Sequence, residues 1–80
     1  MPPADHWRMQ LNNYLQASQQ NDILTWEQAC SGPAHARVWT AIAYIRDIEY
    51  GRATASTAAA AKEEAARQTL AALYAERIEH

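Results

Sequence analysis

The residues best equipped for chemistry in this 80-residue chain are one cysteine, three histidines and a short run of acids. Cys30 and His35 stand five positions apart across Ser31-Gly32-Pro33-Ala34, a spacing that suggests a nucleophile and its base. No orienting carboxylate, glycine-rich phosphate loop or pair of acids accompanies them. Cys30 therefore reads as a small buried or half-buried thiol ending a strand. Glu63-Glu64, beside Lys62 and Arg67, has the i,i+3 and i,i+4 spacing of ion pairs on a solvated helix face rather than of an acid-base centre. His6 and His80 lie near the termini and read as exposed polar groups. No three ligands fall at metal-site spacing, and a single cysteine excludes an internal disulfide and a multi-cysteine zinc site. The expectation is no catalytic residue, no metal and no cofactor. His35, inside a Gly-Pro loop, is left as the most informative side chain, although a loop histidine by itself reads as a solvated polar group.

Elements on both sides must hold that loop. Asp5 can cap a helix by accepting a backbone N–H bond. Trp7, Leu11, Tyr14 and Leu15 then recur at i, i+4, i+7 and i+8 as one apolar stripe. Gln10, Asn12, Asn13 and Gln16 decorate the other faces, and the helix should fade in Ser18-Gln19-Gln20-Asn21-Asp22. The period then changes. Leu24, Trp26 and Cys30, evenly spaced, predict a strand from Ile23 to Cys30, and Ser31-Gly32-Pro33-Ala34 is a turn signal. Arg37 to Arg46, rich in β-branched and aromatic residues, is the clearest strand. Its alternation puts Trp39, Ala41, Ala43 and Ile45 on one face and Val38, Thr40, Ile42 and Tyr44 on the other. Arg46-Asp47 can turn the chain into a third strand, Ile48 to Ala53, where Gly51 permits a bulge or close approach.

Ser56 or Thr57 is a suitable N-cap for a last helix, whose stripe runs Ala61, Ala65, Ala66, Leu70 and Leu73. Small residues at its start let it lie close to a sheet. The predicted fold class is α+β: α-β-β-β-α, a three-stranded antiparallel sheet with two helices packed on one face. One domain is expected over residues 1–80, with its core from about 5 to 76.

A hydrophobic share of 49% with two Gly and three Pro argues for a packed chain over disorder. Much of that share is alanine, so the core is thin. The net charge of -2 counts against tight nucleic-acid binding, because such modules are usually basic. No apolar run approaches the ~18 residues of a membrane span. Met1 to His6 lacks the basic and apolar regions of a signal peptide, so a cytoplasmic or nuclear location is the expectation.

Specific residues narrow the topology. Ser31-Gly32-Pro33-Ala34-His35, followed by Trp39 on a core strand face, resembles the first β-turn of double-stranded-RNA-binding domains. Ile48-Glu49-Tyr50-Gly51 looks like the third strand of that family. The stretch from Ala61 to Leu73 is similar to its alanine-rich last helix, and Leu11-Asn12-Asn13-Tyr14 suits its first. The resemblance runs from about Trp7 to Leu73. It implies recognition of double-stranded RNA by shape, across two minor grooves and the phosphates between them. Carried over by position, the RNA contacts would be Gln10, Asn13 and Gln16 on the first helix, with Asn13 where the family commonly has Glu. Pro33, Ala34 and His35 would follow on the loop, and Arg37 near a phosphate.

The third contact region departs from the pattern. Family members that bind well open the last helix with Lys-Lys-x-Ala-Lys, and here the matching positions read Ala58-Ala59-Ala60-Ala61-Lys62. Lys62, helped by the helix N-terminus and Arg52, is left to hold a phosphate, so binding is expected to be weak. A second reading makes the domain a protein-interaction or dimerisation module. Its contact surface would be the outer sheet face, with Val38, Ile42, Tyr44 and, register permitting, Trp26 as an apolar patch. The expected partners are thus double-stranded RNA bound weakly, or a protein or second copy on that face, with no membrane partner.

Overall fold

The computed structural model describes residues 6–17 and 23–79. Helix α1 (Trp7–Ala17) precedes strand β1 (Leu24–Ser31) and a single 3-10 turn (Ala34–Ala36). Strands β2 (Val38–Ile45) and β3 (Ile48–Ala55) follow, and helix α2 (Ala58–Glu79) ends the fold. The strands form one antiparallel sheet in the order β1-β2-β3, and both helices pack on the same face. This is the α-β-β-β-α arrangement that the sequence predicts, with strand ends shifted by one or two residues. Asp5 and the polar run 18–22 lie outside the described residues, as does His80.

The β2–β3 connection is two residues long, with φ of 53° at Arg46 and 67° at Asp47. Positive φ at both positions gives a turn whose twist matches that of the flanking strands. The Arg46 N–H also donates to the Ile23 carbonyl at 3.1 Å, tying the turn to the start of β1.

The core has two parts. Near this turn, Leu11 and Leu15 of α1 meet Ile45 and the Ala66, Leu70 and Leu73 stripe of α2. Near the other end of the sheet, Ala41 and Ala53 lie directly under Ala61 and Ala65. Trp26 packs against both parts. At Gly51 the helix comes so close that an added Cβ would collide with the Ala65 carbonyl oxygen and meet Thr69 Oγ1 at 2.5 Å. The pairing also slips beside Gly51, since Ala43 faces Gly51 but Tyr44 faces Glu49. Both roles expected of this glycine, bulge and close approach, occur together.

Two burial expectations change. Ile42, on the outer face, is only 8% exposed. Its neighbours cover it: the Tyr44 hydroxyl donates to Glu27 at 3.0 Å, and Arg52 donates to Glu49 at 3.1 Å. Cys30 is exposed, because burial along β1 ends at Trp26 and every later residue of that edge strand is open.

Candidate nucleic-acid interface

Gly32 has a φ of 91°, a conformation that favours glycine, and a Cβ there would press on the Ala36 carbonyl oxygen at 2.8 Å. The chain then folds into the 3-10 turn, where the Ala36 N–H donates to the Pro33 carbonyl at 2.9 Å. Pro33, Ala34, His35 and Arg37 are all exposed on this projection. One of the two loop carbonyls expected to face RNA, that of Pro33, already accepts a bond and keeps one lone pair for another donor.

The register fixes what stands beside the loop. Ser31 pairs with Val38, and Trp39 pairs with Ala55, two residues before the cap of α2. The loop and the N-terminus of α2 therefore leave the same end of the sheet. Thr57 is the cap: its Oγ1 accepts the Ala60 N–H at 3.1 Å, and its carbonyl accepts the Ala61 N–H at 3.1 Å. Ala59 and Ala60 are exposed in the first turn, Ala58 is half-buried and Ala61 is fully buried.

Lys62 is the only lysine of the chain and is half-buried. Its Nζ lies 5.9 Å from the centre of the Trp26 ring, a cation–π contact that turns it toward β1. Trp26 pairs with Ala43 and so faces the helices, which removes it from the outer-face patch expected above. Arg52 pairs with Ile42, points to the outer face and is bonded to Glu49. It cannot help Lys62 from there. That bond also holds the Glu49 carboxyl below its ordinary range. Val38 is exposed on the outer face; Ile42 is covered by charged and hydroxyl groups, and Tyr44 is half-buried.

On α1, Leu11 and Leu15 are buried while Gln10, Asn13 and Gln16 are exposed. At about 100° per residue these three span the outer arc of the helix. Asn13 is on the flank beside α2: it lines a shallow cleft with Arg8, Met9, Asn12 and Glu63.

Glu63 is the residue that sequence reading misplaces. Glu64 does form the expected i,i+3 pair with Arg67, whose guanidinium holds the Glu64 carboxyl below its ordinary range. Glu63, in contrast, is only 6% exposed and turns to α1. Its carboxylate accepts the Trp7 N–H at 2.8 Å and the Arg8 N–H at 3.3 Å, and it also pairs with the Arg8 guanidinium. It caps the first turn of one helix from the side of the other, meeting the positive end of the α1 dipole. A signal was present. Glu63 stands at i+4 from Ala59, i−3 from Ala66 and i−7 from Leu70, inside the α1-facing stripe rather than outside it.

Among the described residues, no group of three His, Cys, Asp or Glu could hold a metal ion, and no helix is long and apolar enough to cross a membrane. None of the curated proteins compared with this sequence matches it. Residues 7–73 match the family described as the double-stranded RNA binding motif. That motif is a binding module rather than a catalytic one, and the match supports binding to double-stranded RNA. With most of its length matched and the α-β-β-β-α fold in place, the chain belongs to the double-stranded RNA binding motif family.

Proposed function

We propose that this domain binds duplex RNA weakly, by its A-form shape and without reading sequence. The observation that carries this reading is the register of the sheet, which brings the exposed Gly32–Arg37 loop and the N-terminus of α2 to one end. A-form RNA presents a wide, shallow minor groove rich in 2′-hydroxyls, and such a domain spans roughly 16 base pairs. His35 and the loop carbonyls would enter one minor groove, with Arg37 at a phosphate. Asn13, Gln16 and Gln10 would meet the next groove with neutral donors and acceptors. The domain would meet such RNA in the cytoplasm or nucleus.

The weakness has a location. The first turn of α2 carries alanines in place of lysines, exposed at Ala59 and half-buried at Ala58, with Glu63 and Glu64 one turn further on. Lys62 must leave the Trp26 ring to reach a phosphate. Two missing phosphate contacts at about 1–2 kcal/mol each lower affinity by roughly thirty- to a thousandfold.

The test is a titration with a duplex of about 20 base pairs, as RNA and as DNA, at low and moderate salt. RNA-selective binding in the micromolar range is the expected result. Equal binding of the DNA, or none of either, overturns the reading, and self-association in place of binding would move the function to the outer sheet face. Ala59→Lys should tighten binding more than Ala58→Lys, since Ala59 is exposed and Ala58 half-buried. Each added phosphate contact should steepen the salt dependence by about one released counterion.

A further inference from the structure

We infer that Glu63 is a positioning residue for RNA binding: it locks the first turn of α1 to α2 and so fixes the spacing between the minor-groove edge of α1 and the phosphate end of α2. The inference rests on the RNA-binding reading above. Three observations carry it. The carboxylate is 6% exposed and takes two backbone N–H groups and a guanidinium from α1, so it is a joint and not a surface charge. The first turn of an isolated helix as short as α1 is marginal and needs such an acceptor. The joint also lies between the two contact regions: Glu63 borders the cleft shared with Asn13 and, on its other side, a cleft of about 360 Å³ shared with Thr57, Ala59 and Ala60.

The sign of the effect separates this role from a simple charge. A carboxylate near phosphate repels it, so removing one that acts only through its charge should tighten RNA binding. Glu64 borders the same α2 cleft and supplies the comparison: Glu64→Gln should tighten binding by up to about twofold. Glu63→Ala removes a negative charge too, yet should weaken binding by about fivefold or more, because the hydrogen bonds it loses hold α1 in place. Glu63→Gln keeps an acceptor oxygen for the Trp7 and Arg8 N–H groups and should restore binding to within about twofold of the parent.

The experiment measures duplex-RNA affinity of the full chain for these variants at a temperature where circular dichroism shows each folded. It adds Asn13→Ala in both backgrounds. Asn13→Ala should cost about threefold in the parent and close to nothing beside Glu63→Ala, since an unlocked α1 no longer presents that side chain. A loss of stability alone would leave the two costs equal. Hydrogen exchange of the α1 amides, faster in Glu63→Ala than in Glu63→Gln, reads the joint without RNA and serves if Glu63→Ala binds too poorly to titrate. If the parent binds RNA and Glu63→Ala binds as well or better, the positioning role is overturned and the RNA reading stands. Additive Asn13 costs overturn it equally, and a parent that binds no RNA overturns the functional reading itself.

Discussion

At the end of the sheet nearest the Arg46-Asp47 turn the core is built from leucine, and at the end nearest the Gly32–Arg37 loop it is built from alanine. The leucine end fills space. Leu11, Leu15, Leu70 and Leu73 come from both helices and close over Ile45, each buried leucine contributing about 1.5–3 kcal/mol. The alanine end removes space instead: Ala61 and Ala65 bring the α2 backbone down onto Ala41 and Ala53. Such a contact contributes less per residue, but it sets the N-terminus of α2 low beside the loop. Stability is concentrated at one end, and the loop and α2 N-terminus proposed to bind RNA are built at the other, while the α1 contacts stand over the leucine end.

The largest expected effect is at the place where close approach is tightest. Gly51→Ala should cost at least about 3 kcal/mol and leave much of the chain unfolded at 25 °C, as read by chemical denaturation. Thr69→Ala should not rescue it, because the Ala65 carbonyl that blocks the Cβ is backbone. Near-parental stability of Gly51→Ala would refute the contact.

Next come the two kinds of core. Leu70→Ala and Leu15→Ala should each cost about 2–5 kcal/mol, because neither site can collapse without moving a helix. Ala61→Leu adds volume where none is free and should cost about 1–3 kcal/mol. If Ala61→Leu stabilises the fold, the alanine end has room to spare and the contrast fails. Thr57→Ala tests the same end without touching its packing, and loss of the α2 cap should cost about 1 kcal/mol.

The same contrast explains what could be read in the sequence. The leucine end was legible because large apolar residues at helical spacing state their face. Leu11 and Leu15, then Leu70 and Leu73, mark it without further information. The loop was legible from Gly32 and Pro33, whose backbone preferences act locally. The burial of Ile42 and the capping role of Glu63 were not, for opposite reasons. An apolar residue on the outward face of a strand becomes buried only when its neighbours, here Glu27 and Arg52 across the sheet and Tyr44 along the same strand, crowd around it, and that depends on register. A charged residue in an apolar stripe becomes useful only when another helix end arrives to be capped, and that depends on docking. Alternation assigned Trp39 and Ala41 to the right face but left Trp26 open, because a half-polar edge strand such as β1 does not declare its register.

The smallest effect separates both ends of the core from the surface between them. Glu64 and Arg67 pair on the solvent side of α2, about half exposed, and Arg67 lowers the Glu64 pKa. A carboxyl whose pKa is lower folded than unfolded stabilises the fold above its unfolded value. That contribution falls away as pH drops through the lowered value. Arg67→Ala should therefore cost little at neutral pH, less than any core substitution, because solvent screens the pair. The difference from the parent should vanish in acid, once Glu64 is protonated in both states, and should shrink in about 1 M salt. By contrast, the cost of Leu70→Ala should persist in that salt, because it comes from lost packing rather than charge. If Arg67→Ala matched Leu70→Ala in size, the stability of α2 would lie in its surface charges instead of in the leucine end.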